Sequence, residues 1–180
     1  MTIEPGTRTE RHGSYSLRPA QPADLDGLIE LLLALQDQIE TSNPDLWRMK
    51  PEARHNLKGQ IGARLRAANS CALVAEHEDA VVGVIFGRIV VNNRYTPSRT
   101  GQVDQVFVRA DYRRAGLGSR LVALLCRFFA SEGVEDITLR YVDGNEEAAT
   151  FWSALGFSPR IITVGAARET VEQRLHEGDR

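Results

Sequence analysis

The sequence predicts a single α/β or α+β domain built around a mixed β-sheet, and three observations support this prediction. The chain has 180 residues, the length of one domain. Its apolar residues follow helix-like and strand-like periods in the order strand, helix, helix, three strands, helix, strand, helix, strand. Three consecutive strands favour an antiparallel meander, whereas the later alternation needs crossovers and therefore a parallel pair. We expect residues 1–13 to form a flexible arm and residues 14–180 to form the domain.

The first half of the chain is predicted to contain one strand, two helices and two meander strands. A proline, well placed in a first turn, begins each of the two stretches with leucine and isoleucine at helical spacing. A Ser-Asn-Pro turn signal separates these helices, and Val- and Ile-rich runs around a His-Glu-Asp turn indicate a hairpin. In order, the elements are a strand at Tyr15–Pro19, a helix from Pro22 to Ile39, a loop at Thr41–Lys50, a helix from Pro51, and strands at Cys71–Glu76 and Ala80–Asn92.

The second half alternates strands with helices. Gly133 and Gly156 suit helix C-termini, and Asn145 suits an N-cap. The helix that follows the last meander strand is apolar over most of its circumference, so we expect it to be largely buried. In order, the elements are a strand at Gln102–Val108, a helix from Gly116 to Glu132, a strand at Ile137–Val142, a helix from Glu146 to Leu155, a strand at Phe157–Val164 and an ambiguous segment at Arg168–His176.

Composition and charge exclude several classes of protein. The net charge of −2 argues against general nucleic-acid binding, and no stretch approaches the ~18 apolar residues of a membrane span. The N-terminus lacks the apolar core of a secretory signal, and two cysteines, Cys71 and Cys126, do not form a disulfide framework. We therefore expect a cytoplasmic protein without a bound metal. The four histidines show no metal-ligand spacing and are expected at the surface: His12, His55, His77 and His176.

Positive charge is concentrated beside one predicted helix start. Seven arginines and two aspartates lie between Arg88 and Arg120, so a weakly acidic chain has one basic zone. Within it, a strand leads through a turn into Gly116-Leu117-Gly118 at the start of a helix. The first N–H groups of a helix have no partners within it, and glycine lets a phosphate approach the backbone. The P-loop pattern needs a lysine and the dinucleotide pattern a third glycine, and this segment has neither, so another anionic ligand is favoured.

The segment Val103–Ser119 resembles the acetyl-CoA pyrophosphate loop of the GNAT superfamily of N-acetyltransferases, because Arg113-Arg114-Ala115-Gly116-Leu117-Gly118 fills the pattern [QR]-x-x-G-x-[GA]. The strand ITLRYV before Asn145 and the segment ATFWSALGF are similar to two further parts of that family. The resemblance covers residues from about 14 to 164. It implies a mixed, mostly antiparallel sheet of six to seven strands with about four helices, in which the parallel strands Gln102–Val108 and Ile137–Val142 splay apart around the cofactor.

The resemblance also implies acetyl-CoA as cosubstrate and a set of residues that bind it. Backbone groups of Val106, Phe107 and Val108 would bind the pantetheine arm, and Asn145 would bind the cofactor from the second splayed strand. The residues that would bind the pyrophosphate are Arg113, Arg114, Ala115, Gly116, Leu117, Gly118 and Ser119.

Acetyl transfer to an amine needs a neutral amine, and a lysine-like amine with a pKa near ~10.4 must first lose its proton. Asp104, which alternation places on the same strand face as Val106, lies where several family members have a carboxylate base. The alternatives are a salt-bridged strand aspartate, a base that acts through water, or no base. The family's usual acid is a tyrosine, but Trp152 lies at that position and its indole does not titrate. Either the thiolate leaves unassisted or another group serves, with Tyr141 as the candidate because Tyr112 is expected to pack the turn.

The predicted function is acetyl transfer to a primary amine of a small molecule. In this family the acceptor site is formed by the two loops that here contain Asp45 and Trp47, and Arg94 and Tyr95. The acidic stretch Ser131–Phe157 would select a cationic acceptor, although a solvated helix face explains it more simply. The alternatives are acetylation of a protein at a lysine or N-terminus, and a non-catalytic acyl-CoA-binding module suggested by the missing tyrosine. The resemblance also implies a homodimer as one option.

Overall fold

The computed structural model describes residues 9–43 and 48–178, and its central feature is a six-stranded mixed sheet. The strands stand in the order β1-β2-β3-β4-β5-β6, and all neighbouring pairs are antiparallel except the parallel pair β5–β6. This arrangement confirms the predicted fold class. The strands are β1 (Glu10–His12), β2 (Tyr15–Pro19), β3 (Ser70–His77), β4 (Ala80–Val91), β5 (Arg99–Val108) and β6 (Asp136–Leu139).

Most strand predictions differ from the structure at their ends, and the strand predicted at Gln102–Val108 begins three residues earlier, at Arg99. Residues 10–12, expected in the flexible arm, form β1 because their backbone pairs with β2. The strand predicted at Ile137–Val142 begins one residue earlier and ends at Leu139. The prediction of a strand at Phe157–Val164 is wrong, and within it Ile161 is 89% exposed. β-Branched residues favour a strand only where a neighbouring strand pairs with them, and none of the described strands does so here.

Five α-helices lie within the described residues, against about four expected. They are α1 (Leu25–Ser42), α2 (Pro51–Arg66), α3 (Leu117–Ser131), α4 (Glu146–Ala154) and α5 (Arg168–Gly178). Pro51 is the first residue of α2, and Pro22 begins a short 3₁₀ turn that leads into α1. The additional helix, α5, occupies the segment whose structure the sequence left undecided. None of the helices in the described part of the chain combines the length and the hydropathy needed to cross a membrane.

The sheet is covered on both faces. α1 and α2 pack on one face through a buried cluster that they share with β3 and β4, formed by Leu28, Leu31, Leu32, Leu57, Ile61, Val74, Val84 and Phe86. α3 packs on the other face, where glycines allow a close approach. A Cβ at Gly87 on β4 would lie 2.7 Å from Leu125, and one at Gly101 on β5 would lie 2.7 Å from Phe129. The sheet and α3 are therefore in direct contact at this level.

β5 and β6 pair over only part of β5. Their register runs from Thr100↔Asp136 to Val103↔Leu139, and β6 ends there while β5 continues to Val108. The edge of β5 that faces away from β4 is thus unpaired over residues 104–108 within the described structure. We call this opening the sheet gap. It agrees with the predicted splaying of the two parallel strands.

The chain divides into two compact units, of which one ends at Glu146 and the other begins at Glu147. The first contains the sheet and α1 to α3. In the second, the ring of Trp152 meets those of Phe151 and Phe157 edge-on, with centroid distances of 4.9 and 5.2 Å. The buried Trp152 is therefore an aromatic anchor of its own unit.

Candidate active site

The glycine-containing turn leaves the N-terminus of α3 open. Gly116 is its N-cap with a φ of 75°, and no side chain caps the helix in the described structure. The first bond of the helix runs from the N–H of Arg120 to the carbonyl of Gly116, so the N–H groups of Leu117–Ser119 have no partner within the helix. A Cβ at Gly116 would meet no atom within 4 Å, so a side chain at this position would point into open space. This is the geometry of an anion site.

The two arginines of the turn have different surroundings. Arg113 folds back onto β5 and α1: its Nε donates to the Val108 carbonyl at 3.0 Å and its Nη2 donates to Oε1 of Gln38 at 3.0 Å. Its guanidinium also lies 5.6 Å from the centroid of the Phe107 ring. Arg114 has a φ of 67° and is exposed beside the open helix end. Arg113 therefore holds the turn in place, whereas Arg114 contributes positive charge at the surface.

The first hairpin supports the same turn. His12 on β1 places Nε2 3.2 Å from the Ala115 carbonyl. The ring centroids of Tyr15, His77 and Tyr112 lie 5.0 to 6.3 Å from one another. Tyr112 therefore packs the turn, as predicted. The surface positions predicted for His12 and His77 are wrong, since both are half-buried and Nδ1 of His77 is buried with no hydrogen-bond partner among the described residues.

The backbone of β5 presents polar groups to the sheet gap at alternate residues. The N–H of Arg109 donates to the Val82 carbonyl on β4 at 2.9 Å. Because strand residues alternate in direction, the backbone groups of Val106 and Val108 face the gap and those of Phe107 face β4. The side chain of Phe107 packs against the α1–α2 cluster. Two of the three predicted backbone residues therefore line the gap.

A β-bulge lies where the sheet gap begins. Phe86 on β4 pairs with Gln105, but the next residue, Gly87, pairs with Val103, so Asp104 is the extra residue of β5. A bulge breaks the strict alternation of side chains. Strict alternation would place Asp104 and Gln105 on opposite faces, but as a result of the bulge both reach Arg64 of α2.

Asp104 is held between two arginines. Its side chain is 7% exposed, its Oδ2 accepts from Nη2 of Arg64 at 2.5 Å, and its Oδ1 accepts from Nη1 of Arg88 at 2.8 Å. Arg64 also donates to Oε1 of Gln105 at 2.7 Å. Both oxygens of Asp104 are therefore engaged. An acceptor amine at this point would therefore meet a carboxylate that is already paired with two guanidinium groups.

The β6 side of the gap holds the other predicted residues. Tyr141 lies two residues beyond β6 and is 44% exposed. Asn145 is half-buried in a turn where its N–H donates to the Val142 carbonyl at 3.1 Å. A Cβ at Gly144 would lie 3.6 Å from the Ser42 carbonyl, so this turn adjoins the C-terminus of α1.

The predicted acceptor residues fall into two groups. Asp45 and Trp47 lie outside the described residues. Arg94 and Tyr95 lie in the exposed loop between β4 and β5, and Tyr95 is 69% exposed.

The cysteines do not form a nucleophilic site. Burial raises the pKa of the Cys71 thiol to about 12 and raises that of Cys126 as well. Neither thiol is therefore a thiolate at neutral pH. The described residues also contain no group of three or more His, Cys, Asp or Glu side chains that could hold a metal.

Gln38, Arg64 and Arg88 also belong to this region, although none of them was among the residues predicted from the sequence. A signal for Arg64 is present in α2, because it follows Ile61 by three residues and so shares the helix face of the apolar stripe. No comparable signal exists for Arg88. Its contact with Asp104 depends on the bulge, which the sequence does not reveal.

Comparisons with known proteins find a matching family model and similar folds. Residues 32–157 match the family model described as "Acetyltransferase (GNAT) family". A curated relative, N-acetyltransferase 8 of Homo sapiens, is 28% identical over 93 residues, which are 52% of this chain and 40% of that protein. The chain thus spans less than half the length of this relative.

Solved structures share the fold at low identity. The BH1408 protein of Bacillus halodurans, a tetramutant, has a TM-score of 0.74 and 18% identity, with 84% of this chain and 98% of that chain covered. The aminoglycoside N-acetyltransferase AAC(6')-Iy in complex with CoA has a TM-score of 0.67 and 18% identity, with 88% and 97% covered. A ribosomal-protein-alanine N-acetyltransferase of Brucella melitensis has a TM-score of 0.62 and 15% identity, with 85% and 98% covered.

Proposed function

Because the chain belongs to the GNAT family of acetyltransferases, we propose that it moves the acetyl group of acetyl-CoA to a primary amine of a small-molecule acceptor, by direct attack in a ternary complex. One observation carries the proposal. The open N-terminus of α3 stands beside the sheet gap, so an anion site and a slot lined by backbone groups are adjacent. Acetyl-CoA has a pyrophosphate and an amide-containing arm that match these two features in the same order.

The residues present fit this cosubstrate. The N–H groups of Leu117–Ser119 would bind the pyrophosphate, with Arg114 supplying charge and Gly116 leaving room for the phosphate oxygens. The Ala115 carbonyl holds the turn against His12, and Arg113 holds it against the Val108 carbonyl. Val106 and Val108 would bind the pantetheine amides, and Asn145 would close the slot from the β6 side. When bound, the cosubstrate supplies an activated acetyl thioester.

Protons move between the acceptor, water and one group of the chain. We propose that Asp104 fixes Arg64 and Arg88 at the closed end of the gap, because both of its oxygens are engaged by these two arginines. The acceptor loses one proton to water and attacks as the neutral amine. As its nitrogen bonds to the acetyl carbon and the carbon–sulfur bond breaks, the nitrogen releases a second proton to water. Tyr141, whose exposed phenol follows β6, is our candidate for returning a proton to the thiolate.

Two further properties complete the proposal. The outer edges of β1 and β6 end the sheet within the described structure, and such edges support our expectation of a homodimer. The unpaired thiols of Cys71 and Cys126 suit a reducing compartment and support a cytoplasmic location. Light scattering of the purified protein tests the first, and fractionation of the producing cells tests the second.

Calorimetric titration with acetyl-CoA tests the proposed function, using Gly116→Glu with Gly133→Glu as its matched control. Both glycines have a left-handed φ, 75° and 68°, and in both places a Cβ meets no atom within 4 Å. The two variants therefore share backbone strain and added charge, but only Gly116→Glu puts a carboxylate before α3. We expect micromolar binding in the parent and the control, and at least a ~100-fold loss in Gly116→Glu.

Turnover is then measured as CoA release with a panel of amines, amino acids and peptides. Binding that survives Gly116→Glu would refute the assigned pyrophosphate site. Binding without release of CoA for any member of the panel would favour a non-catalytic acyl-CoA-binding module. Release with peptides alone would favour acetylation of a protein.

A further inference from the structure

The cluster around Asp104 contains more positive than negative charge. Arg64 and Arg88 converge on this one carboxylate, which is 7% exposed. Burial and the neighbouring Arg88 lower the pKa of Arg64, while Asp104 acts in the opposite direction. A half-buried cluster with one excess positive charge is stabilised by any anion that reaches it.

Arg88 is the member that a ligand reaches. Its side chain is 42% exposed, against 27% for Arg64. Within the described part of the chain, Arg88 forms its ion pair through Nη1, which lies 2.8 Å from Oδ1 of Asp104. Arg64 is further occupied, since it also donates to Gln105 and lies 4.5 Å over the Phe86 ring. A guanidinium has five N–H donors in a planar fork that fits a carboxylate, so Arg88 retains donors for a ligand.

The cluster lies where the acetyl group would be. If the pyrophosphate binds at the start of α3, the pantetheine arm runs along β5 from Val108 towards Asp104. These four steps span about 13 Å at ~3.3 Å per residue. Asp104 is the first residue beyond the paired part of β5 and β6, and so marks the closed end of the gap.

The acceptor can approach this end from only one face of the sheet. On the α3 face, the side chains of Leu125 and Phe129 lie against Gly87 and Gly101 and cover the sheet next to the closed end of the gap. The opposite face, beneath α2, carries Arg64 and the Asp104 cluster. An acceptor amine that meets the thioester therefore does so next to the arginines.

From this geometry we infer that Arg88, held by Asp104 and backed by Arg64, binds a carboxylate of the acceptor. This inference rests on the proposed function and specifies its substrate class: amines with a carboxylate a few bonds from the nitrogen, such as amino acids and their conjugates. Polyamines are disfavoured, because their charges meet like charge at the closed end of the gap.

The test compares each of a panel of amino acids with its own carboxamide, in the parent, Arg88→Gln and Arg127→Gln. The measured quantity is the ratio of kcat/KM for acid to that for amide. Comparing this ratio between proteins cancels the different basicities of the two amines. Arg127 is a suitable control because it is an exposed arginine of α3 that pairs with Glu10 at 2.5 Å, away from the gap.

We expect the parent and Arg127→Gln to prefer the acid, and Arg88→Gln to lower the acid-to-amide ratio by about 10- to 100-fold, the value of a charged hydrogen bond. Arg88→Lys should restore part of the preference because it keeps the charge. An unchanged ratio in Arg88→Gln would overturn the inference. So would an equal loss for acid and amide, since that outcome assigns Arg88 to the reacting carbonyl.

A second readout needs no turnover and separates failure of this inference from failure of the proposed function. N-acetylated amino acids and their carboxamides are titrated into the CoA complex of the parent and of Arg88→Gln. Binding of the acids alone, lost in Arg88→Gln, supports the carboxylate site even if no amine is acetylated. Equal binding of acids and carboxamides, or no binding of either, overturns it even if acetyl-CoA binds as proposed.

Discussion

Removing the carboxylate of Asp104 is expected to destabilise the fold, because it leaves two guanidiniums facing each other. Loss of one partner from a buried ion pair costs about 3–5 kcal/mol. Here Arg88 is 42% exposed and can take up water, so we expect a smaller cost for Asp104→Asn, about 2–4 kcal/mol. For a chain of this length, 1 kcal/mol corresponds to about 2–4 °C in Tm, which gives a decrease of roughly 4–16 °C. Thermal and urea unfolding, followed by circular dichroism, measure this change.

Two comparisons isolate the charge effect. Asp37→Asn removes a carboxylate that is 65% exposed and pairs with Arg54 at 2.9 Å, so it should cost less than about 1 kcal/mol. Arg64→Gln combined with Asp104→Asn returns the cluster to a single excess charge. The double variant should lose less than the sum of its single variants by at least ~1 kcal/mol. Strict additivity of the two single variants would refute the ion-pair argument. So would a Tm for Asp104→Asn within about 2 °C of the parent, since that shift corresponds to at most about 1 kcal/mol.

The catalytic role of Asp104 is separated from its structural role by the pH profile of kcat. If Asp104 holds the arginines, Asp104→Asn keeps the shape of the profile and mainly raises KM for carboxylate acceptors. If Asp104 is the base, the variant loses about 100-fold or more in kcat, and its rate rises with pH as the ammonium form of the acceptor loses its proton. The second pattern would contradict our proposal and restore the role expected from the sequence.

Two further predictions concern packing and acid stability. Gly101→Ala should destabilise the fold by about 1–3 kcal/mol, because the added methyl group lies 2.7 Å from a ring of α3. Gly59→Ala, on the exposed side of α2 with no atom near its Cβ, should instead stabilise by up to ~1 kcal/mol, and chemical unfolding that ranks the two in reverse would refute this assignment. Burial raises the pKa of the Asp24 carboxyl, but the hydrogen bonds from Arg18 and from the Gln21 N–H together lower it by more. The net pKa of Asp24 is therefore below its ordinary value. The ionised Asp24 therefore stabilises the fold at pH values above its unfolded pKa near ~3.9, and this stabilisation is lost as pH falls through the folded pKa. Asp24→Asn should destabilise the fold at pH 7, and the difference in unfolding free energy between parent and variant should shrink only below about pH 4. Unfolding curves measured across pH would contradict this prediction if the difference in stability between the parent and Asp24→Asn stayed constant below about pH 4.

Local patterns predicted most of the elements correctly, and the reason is physical. Period and turn chemistry depend on near neighbours in the chain, so Tyr15–Pro19 was predicted with its observed bounds and β4 differs by one residue. The glycine-containing turn belongs to the same class of local signal. Gly116 has the left-handed φ that glycine favours, and the helix start that follows it is open.

Pairing between distant segments was not predictable in this way. Residues 10–12 form β1 because their backbone pairs with β2. The β-branched residues of Phe157–Val164 favour a strand, but this segment is not one because no described strand pairs with it. The contact between His12 Nε2 and the Ala115 carbonyl joins residues that are 103 positions apart in the chain. Such contacts depend on the tertiary fold, which no single-sequence pattern encodes.

The sequence by itself determined the kind of sheet, the glycine-containing turn and the family, because the signals for each lie in consecutive residues from about Val103 to Ser119 and in the periods around them. Only the tertiary structure decided what surrounds Asp104. One extra residue in the pairing of β5 with β4 turns Asp104 and Gln105 towards α2, and the docking of α2 brings Arg64 onto both. A bulge is a mismatch between two strands, so it is a property of their pairing and cannot be read from either strand alone.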